Sequence, residues 1–235
     1  MKIICFLMSI LLSIETATHV CSVALTSGGR LLALRETNEK NAHSKLLAVY
    51  VDEVLKEAGV KPSQLAGVAV SEGPGSYTGL RIGVSAAKGL CYAASVPLIP
   101  VGTLHSLAYA MKQFASEGDA LMPAIDARRM EVYTCVFNHS LEAVTQPGPV
   151  VVSQPFFEGL PLHNRLLLAG DGGAKCLTLA GDRALLLQQV QPSAVHVAAL
   201  AHQKLDARQF ADTAYFEPYY MKEFVAGMPH VKGLQ

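Results

Sequence analysis

Apolar positions along the chain follow two rhythms, short runs suited to strands and longer stretches at helical spacing. Runs at 9–16, 20–26 and 31–37, separated by Thr18-His19 and Gly28-Gly29, predict three short strands, most simply an antiparallel meander. Over 42–58, Leu46, Leu47, Tyr50, Val51, Val54, Leu55 and Ala58 recur at helical spacing. Lys45, Asp52, Glu53, Lys56 and Glu57 fall mostly on the other side, and Gly59 and Pro62 end the helix. A strand at 66–71, a glycine turn, a helix running to about Ala94, a strand from Val96 to Val101 and a helix over 103–116 complete the first half. The pattern then restarts with strands at 121–126, 131–138 and 144–152. A Pro-rich link leads to a strand at 166–170, a Gly-Asp-Gly-Gly turn at 170–173 and helices near 174–180 and 194–205. Two halves, each opening on a three-strand meander, predict a duplicated α/β unit.

Length and charge narrow the picture. A chain of 235 residues, 51% hydrophobic, buries roughly 70 to 75% of its unfolded surface, enough for one large domain or two small ones. The net charge is zero with the eight histidines neutral, so no broad basic field holds nucleic acid by counterion release, and contact with RNA needs a partner. Cys5, Cys21, Cys91, Cys135 and Cys176 are far apart, with no Cys-x-x-Cys spacing, which disfavours a disulfide framework and a zinc knuckle and fits a reducing cytosol. The apolar stretch Ile3 to Ile14 imitates a secretory signal, but no small-x-small cleavage site follows. Met8 is the expected start, with residues 1–7 an extension.

The densest local signal is Gly73-Pro74-Gly75-Ser76-Tyr77-Thr78-Gly79, which joins a strand to a helix. Such a turn brings something close to the backbone, either a phosphate at the helix amino terminus or another helix. It is neither a Walker A loop, lacking Gly-Lys-Ser/Thr, nor a dinucleotide fingerprint, since no Asp or Glu occurs between Glu72 and Glu117 to hold a ribose. Gly73, Gly75, Ser76 and Arg81 are the candidate phosphate or partner contacts here. The competing reading uses the small-residue stripe Gly79, Gly83, Ala86, Ala87 and Leu90, along which another helix, or the protein's own sheet, approaches closely.

Metal and nucleophile chemistry finds little support. No two histidines stand at i and i+4, and Ser76 lacks the Gly-x-Ser-x-Gly frame of a nucleophile elbow. Asp126-Ala127-Arg128-Arg129-Met130-Glu131, between two strands, is the densest charge cluster. Arg128 and Arg129 there suit a phosphate or a partner carboxylate, or else sit on a solvated hairpin with a local ion pair.

Leu12-Ser13-Ile14-Glu15-Thr16-Ala17, Cys21 to Leu25, His43-Ser44, the run Gly73 to Gly83, Asp126 to Tyr133 and Pro218-Tyr219-Tyr220 together resemble the TsaB (YeaZ) family, from about Met8 to about Phe224. The resemblance implies the α/β actin-like ATPase (ASKHA, ribonuclease H-like) fold in two subdomains, 8–108 and 109–224, with 225–235 a tail. It implies a cytoplasmic, non-catalytic scaffold in tRNA threonylcarbamoyladenosine modification, not membrane-bound, with TsaD and the ATPase TsaE as partners. It also implies a homodimer when alone, and tRNA reached only through the complex. By the same resemblance no cofactor belongs to the isolated chain, ATP and metal lying on the partner subunits. The metal histidines of TsaD fall here on Thr103 and Leu107, and beside Glu15 neither Ala17 nor Val20 supplies a phosphate contact. The implied partner face joins the first helix, through His43, Leu47 and Tyr50, to the glycine-motif helix, through Tyr77, Thr78, Gly79, Leu80, Gly83, Ala86, Ala87 and Leu90. A glycoprotease-like peptidase and an actin-fold small-molecule kinase are the alternatives.

Overall fold

A computed structural model describes residues 9–39 and 41–222; the expected extension at 1–7 and tail at 225–235 lie outside the described residues. The first meander forms as expected, β1 (Ile10–Glu15), β2 (Cys21–Ser27) and β3 (Arg30–Thr37), and the part of the signal-like stretch from Ile10 onward supplies the central strand of a sheet. Helix α1 (His43–Glu57) leads to β4 (Gly67–Gly73), α2 (Tyr77–Ala94) and β5 (Leu98–Gly102), giving the order β3-β2-β1-β4-β5. β1 is antiparallel to β2 and parallel to β4.

The second half repeats this arrangement strand for strand. After α3 (Thr103–Met111) come β6 (Ala120–Asp126), β7 (Glu131–Thr134) and β8 (Gly148–Val151), then α4 (Gln154–Glu158), β9 (Leu166–Ala169), α5 (Gly173–Leu177) and β10 (Ala184–Leu186). The order β8-β7-β6-β9-β10, with β6 antiparallel to β7 and parallel to β9, matches the first sheet in position and sense. The strand expected over 131–138 stops at Thr134. There Val136 N donates to Thr145 Oγ1, and Leu141 adopts φ +66°, which bends the chain away from the ladder. The helix expected over 103–116 ends at Met111 and tightens into a 3-10 turn, Lys112–Phe114.

Strand alternation gives each sheet two apolar faces. Leu12, Ile14, Val23, Val68 and Val70 pack beneath α1 and α2. Leu11, Ala69, Ile99 and Val101 face α6 (Ala194–Asp206). In the second sheet Met122, Val132 and Leu168 lie with Phe157 of α4 and Cys176 of α5, whereas Leu121, Ile125 and Leu167 meet Leu104, Leu107 and Met111 of α3. The two crossing helices therefore exchange sheets: α3, which contains residue 108, packs on the second, and α6 returns to the first. No helix among the described residues is long and apolar enough to cross a membrane.

Candidate functional site

The glycine loop between β4 and α2 is enclosed by the chain itself. Gly73 has φ +117°, open to glycine alone at little cost, and a Cβ there would stand 2.5 Å from the carbonyl oxygen of Tyr219. Tyr219 N donates to Glu72 O at 2.7 Å, and Ser76 N donates to Ala17 O at 2.6 Å. A Cβ at Gly75 would overlap Ala17 O. Ser76 caps α2, its Oγ accepting from Gly79 N at 3.2 Å. The close approach read from the sequence is thus made by two segments of this chain, the β1–β2 turn and Pro218–Tyr220.

Three members of the small-residue stripe, Gly79, Gly83 and Ala87, have the same explanation and meet this chain's own residues rather than a partner, whereas Ala86 and Leu90 do not share it. A Cβ at Gly79 would strike Thr16 O, and one at Gly83 would strike Thr16 Oγ1. Gly79, Gly83 and Ala87 are buried against the protein's own sheet and turn, as are Leu47 and Leu80. His43 is half-buried and tied inward, its Nε2–H donating to Val20 O at 3.1 Å, and burial holds its pKa below the usual range. Tyr77 is engaged on Tyr220, ring centroids 4.8 Å apart, with the Arg81 guanidinium 4.7 Å from the Tyr77 ring. Thr78 is exposed, and Tyr50, Ala86 and Leu90 remain half-exposed. Beside them Leu46 and Ile82 are half-exposed, Val49 is 44% exposed and Gly89 is open, with nothing within 4 Å of where its Cβ would stand. The available outer face of α1 and α2 is therefore carried by Leu46, Val49, Tyr50, Ile82, Ala86, Gly89 and Leu90.

On the inner face Glu15 is fully buried, its Oε1 accepting from Ala17 N at 2.6 Å while Oε2 has no hydrogen-bond partner. Burial pushes its pKa up to about 7, against the opposing pull of the Ala17 amide and the Ser71 hydroxyl. Glu15 is turned into the interior, and Thr103 and Leu107 are likewise wholly buried.

Arg128 and Arg129 lie exposed in the β6–β7 turn with φ +69° and +50°. Asp126 pairs with Lys175 of α5 at 2.6 Å and Glu131 with Lys222, so among the described residues the ion pairs of this cluster involve neither arginine. Asp126 Oδ1 also accepts from Arg128 N, and Asp126 N donates to Asp171 Oδ1 in the Gly-Asp-Gly-Gly turn. The contacts of Asp126 with Asp171 and Lys175 join residues 45 and 49 positions apart and carry no local sequence signal. Among the described residues no group of three or more His, Cys, Asp and Glu side chains gathers as a metal site would need.

Two matched five-stranded sheets with exchanged crossing helices define an α/β protein of the actin-like ATPase fold. Similarity with a TM-score of 0.50 at 7% identity to a 2-hydroxyisocaproyl-CoA dehydratase activator from Clostridium difficile supports the fold. The chain belongs to the family described as TsaD, tRNA N6-adenosine threonylcarbamoyltransferase, whose pattern matches residues 31–217. Its likeness to the TsaB (YeaZ) proteins also holds. It is 28% identical to the tRNA threonylcarbamoyladenosine biosynthesis protein TsaB of Escherichia coli over 92% of this chain and 96% of that protein. It is 37% identical to the Haemophilus influenzae protein of the same name, over 52% of this chain and about half, 51%, of that protein's length. A Pseudomonas aeruginosa structure described as an uncharacterized protein with similarity to peptidase YeaZ superposes with a TM-score of 0.80 at 26% identity. That match covers 92% of this chain and 100% of the other.

Proposed function

We propose that this chain is a non-catalytic scaffold and activator subunit in tRNA N6-threonylcarbamoyladenosine synthesis. In this reading it binds a TsaD catalytic subunit, assembles with TsaE, and forms a homodimer when alone, all in the cytoplasm. The names of its relatives support the pathway. The observation that carries the non-catalytic reading is the glycine loop, whose approach side is filled by Ala17 and Tyr219 of the same chain. Thr103 and Leu107, buried where the resemblance places the metal histidines, support it further. The scaffold acts by binding one conformation of the catalytic subunit better than another, which shifts that subunit's population. ATP and metal belong to the partners, and tRNA meets this chain only within the assembly.

The outer face of α1 and α2 is the partner surface in this reading, used by the second copy and by TsaD in turn. Purified chain is expected to show no ATPase, peptidase or transferase turnover and to co-elute with TsaD. Stoichiometric bound zinc or iron together with hydrolysis would contradict the scaffold reading and favour the peptidase wording attached to the Pseudomonas structure.

A further inference from the structure

After α6 the chain runs from the edge of the first sheet to the second, with a turn over 213–215 on the way. Ala211 N donates to Leu98 O at 3.0 Å, adding a bridge to the free edge of β5. Lys88 of α2 then donates from Nζ to the carbonyls of Ala214 (3.1 Å) and Phe216 (2.9 Å), and Phe216 packs against the core beneath α2. Tyr219 holds the glycine loop through Glu72 O, and Tyr220 lies against Tyr77 at the start of α2. Within two further residues the chain is anchored to the other sheet. Met221 packs with the cluster around α3 and β6, Lys222 pairs with Glu131 of β7, and its Nζ stands 5.7 Å from the Tyr133 ring.

We propose that residues 211–222 form a latch that couples α2 to the relative position of the two sheets. The geometry explains why both ends are needed. Among the described residues the α2 end uses a hydrogen bond at the edge of β5, two lysine–carbonyl contacts and a ring contact, whereas the second-sheet end has a packed methionine, a half-exposed ion pair and the Lys222 ammonium near the Tyr133 ring. Half-exposed pairs of that kind hold weakly, so the β7 end is the one that releases. A molecule seated on α2 that shifts Lys88 or Tyr77 moves Tyr219 and Tyr220 with it, and the anchor at Glu131 follows. Small displacements on the outer face are thereby passed to the second sheet, as hinge and closure devices require. This inference stands on the contacts of the free chain and does not depend on the identity of the partner.

Spin labels at exposed Ser44 on α1 and exposed Ser140 beyond β7, in a Cys5→Ser background, read the distance between halves by double electron–electron resonance. With labelled chain diluted into an excess of unlabelled chain, so that a dimer carries one labelled copy, the wild-type latch should give one narrow distribution. Tyr219→Pro with Lys222→Ala removes the loop hydrogen bond and the ion pair, and should broaden the distribution and move it to longer distance. Lys222→Glu should broaden it by repulsion from Glu131, and adding Glu131→Lys should restore the narrow distribution. The charge reversals change half-exposed side chains only, so they decide the matter even if Tyr219→Pro does not fold. An unchanged distribution in Lys222→Glu, or no restoration in the reversed pair, overturns the latch.

Discussion

Glu15 shows how far a single residue can depart from its apparent role. It is the acidic residue the sequence offers in the first hairpin, yet it is buried, with one oxygen unpaired among the described residues and a pKa of about 7. A folded-state pKa raised from the ordinary 4.5 means that the folded chain holds a proton the unfolded chain releases. Stability is then full below about pH 4.5 and falls as pH rises towards 7, by on the order of 3 kcal/mol, from roughly 1.36 kcal/mol per pKa unit. Glu15→Gln keeps the acceptor for Ala17 N and carries no charge, so urea unfolding of the variant should lose the extra decline between pH 5 and 8. A parallel decline in both proteins would contradict this. The glycines make the complementary case. Gly79→Ala meets a backbone oxygen that cannot turn aside, whereas Gly83→Ala meets the Thr16 hydroxyl. Both should destabilise, by about 1 to 3 kcal/mol as overpacking does. Thr16→Ala should rescue Gly83→Ala alone, which thermal unfolding of the single and double variants will show. That these glycines permit a close approach was legible in the sequence; that the approaching group is Thr16, more than sixty positions away, was not.

At the scale of elements, the long periodic segments were read well and the short ones poorly. Helices α1 and α2 formed within a residue or two of the expected bounds because their apolar stripes, the cap at Ser76 and the stop at Gly59 all agree. β10, three residues long, and α4, five, are too short for periodicity to declare them, and tertiary packing sets them. The candidate face on α1 and α2 remains a proposal, in which Gly79, Gly83 and Ala87 on one flank of α2 are buried while Ile82, Ala86 and Leu90 on the other stay half-exposed, a difference the sequence does not declare because a stripe of small residues looks alike whether it meets another chain or its own sheet. Gly89 separates these flanks. Gly89→Ala fills open space inside a helix and should raise monomer stability by about 0.5 to 1 kcal/mol. Gly89→Arg should leave circular dichroism unchanged and shift ultracentrifugation from dimer to monomer, since each 1.4 kcal/mol lost is about tenfold in affinity. A dimer that survives Gly89→Arg would place the self-association surface elsewhere.

The whole molecule is a duplication in which the two copies have diverged in their covering. The first sheet carries helices of 15 and 18 residues on its outer face, whereas the second carries two of five. The repeat of three strands, helix and strand was visible in the pattern; the exchange of α3 and α6 between sheets, and the strap of 211–222 that ties the halves, depend on contacts between distant positions. With 19 basic and 19 acidic residues, the free chain should bind tRNA only weakly at physiological salt, by fluorescence anisotropy, and submicromolar affinity would contradict that. The most direct test of the scaffold account is the reconstituted modification of tRNA with TsaD, TsaE and the threonylcarbamoyl-adenylate donor, run with and without this chain. The account predicts modification that requires the chain and falls when Gly89→Arg replaces it; full modification in its absence would contradict the account.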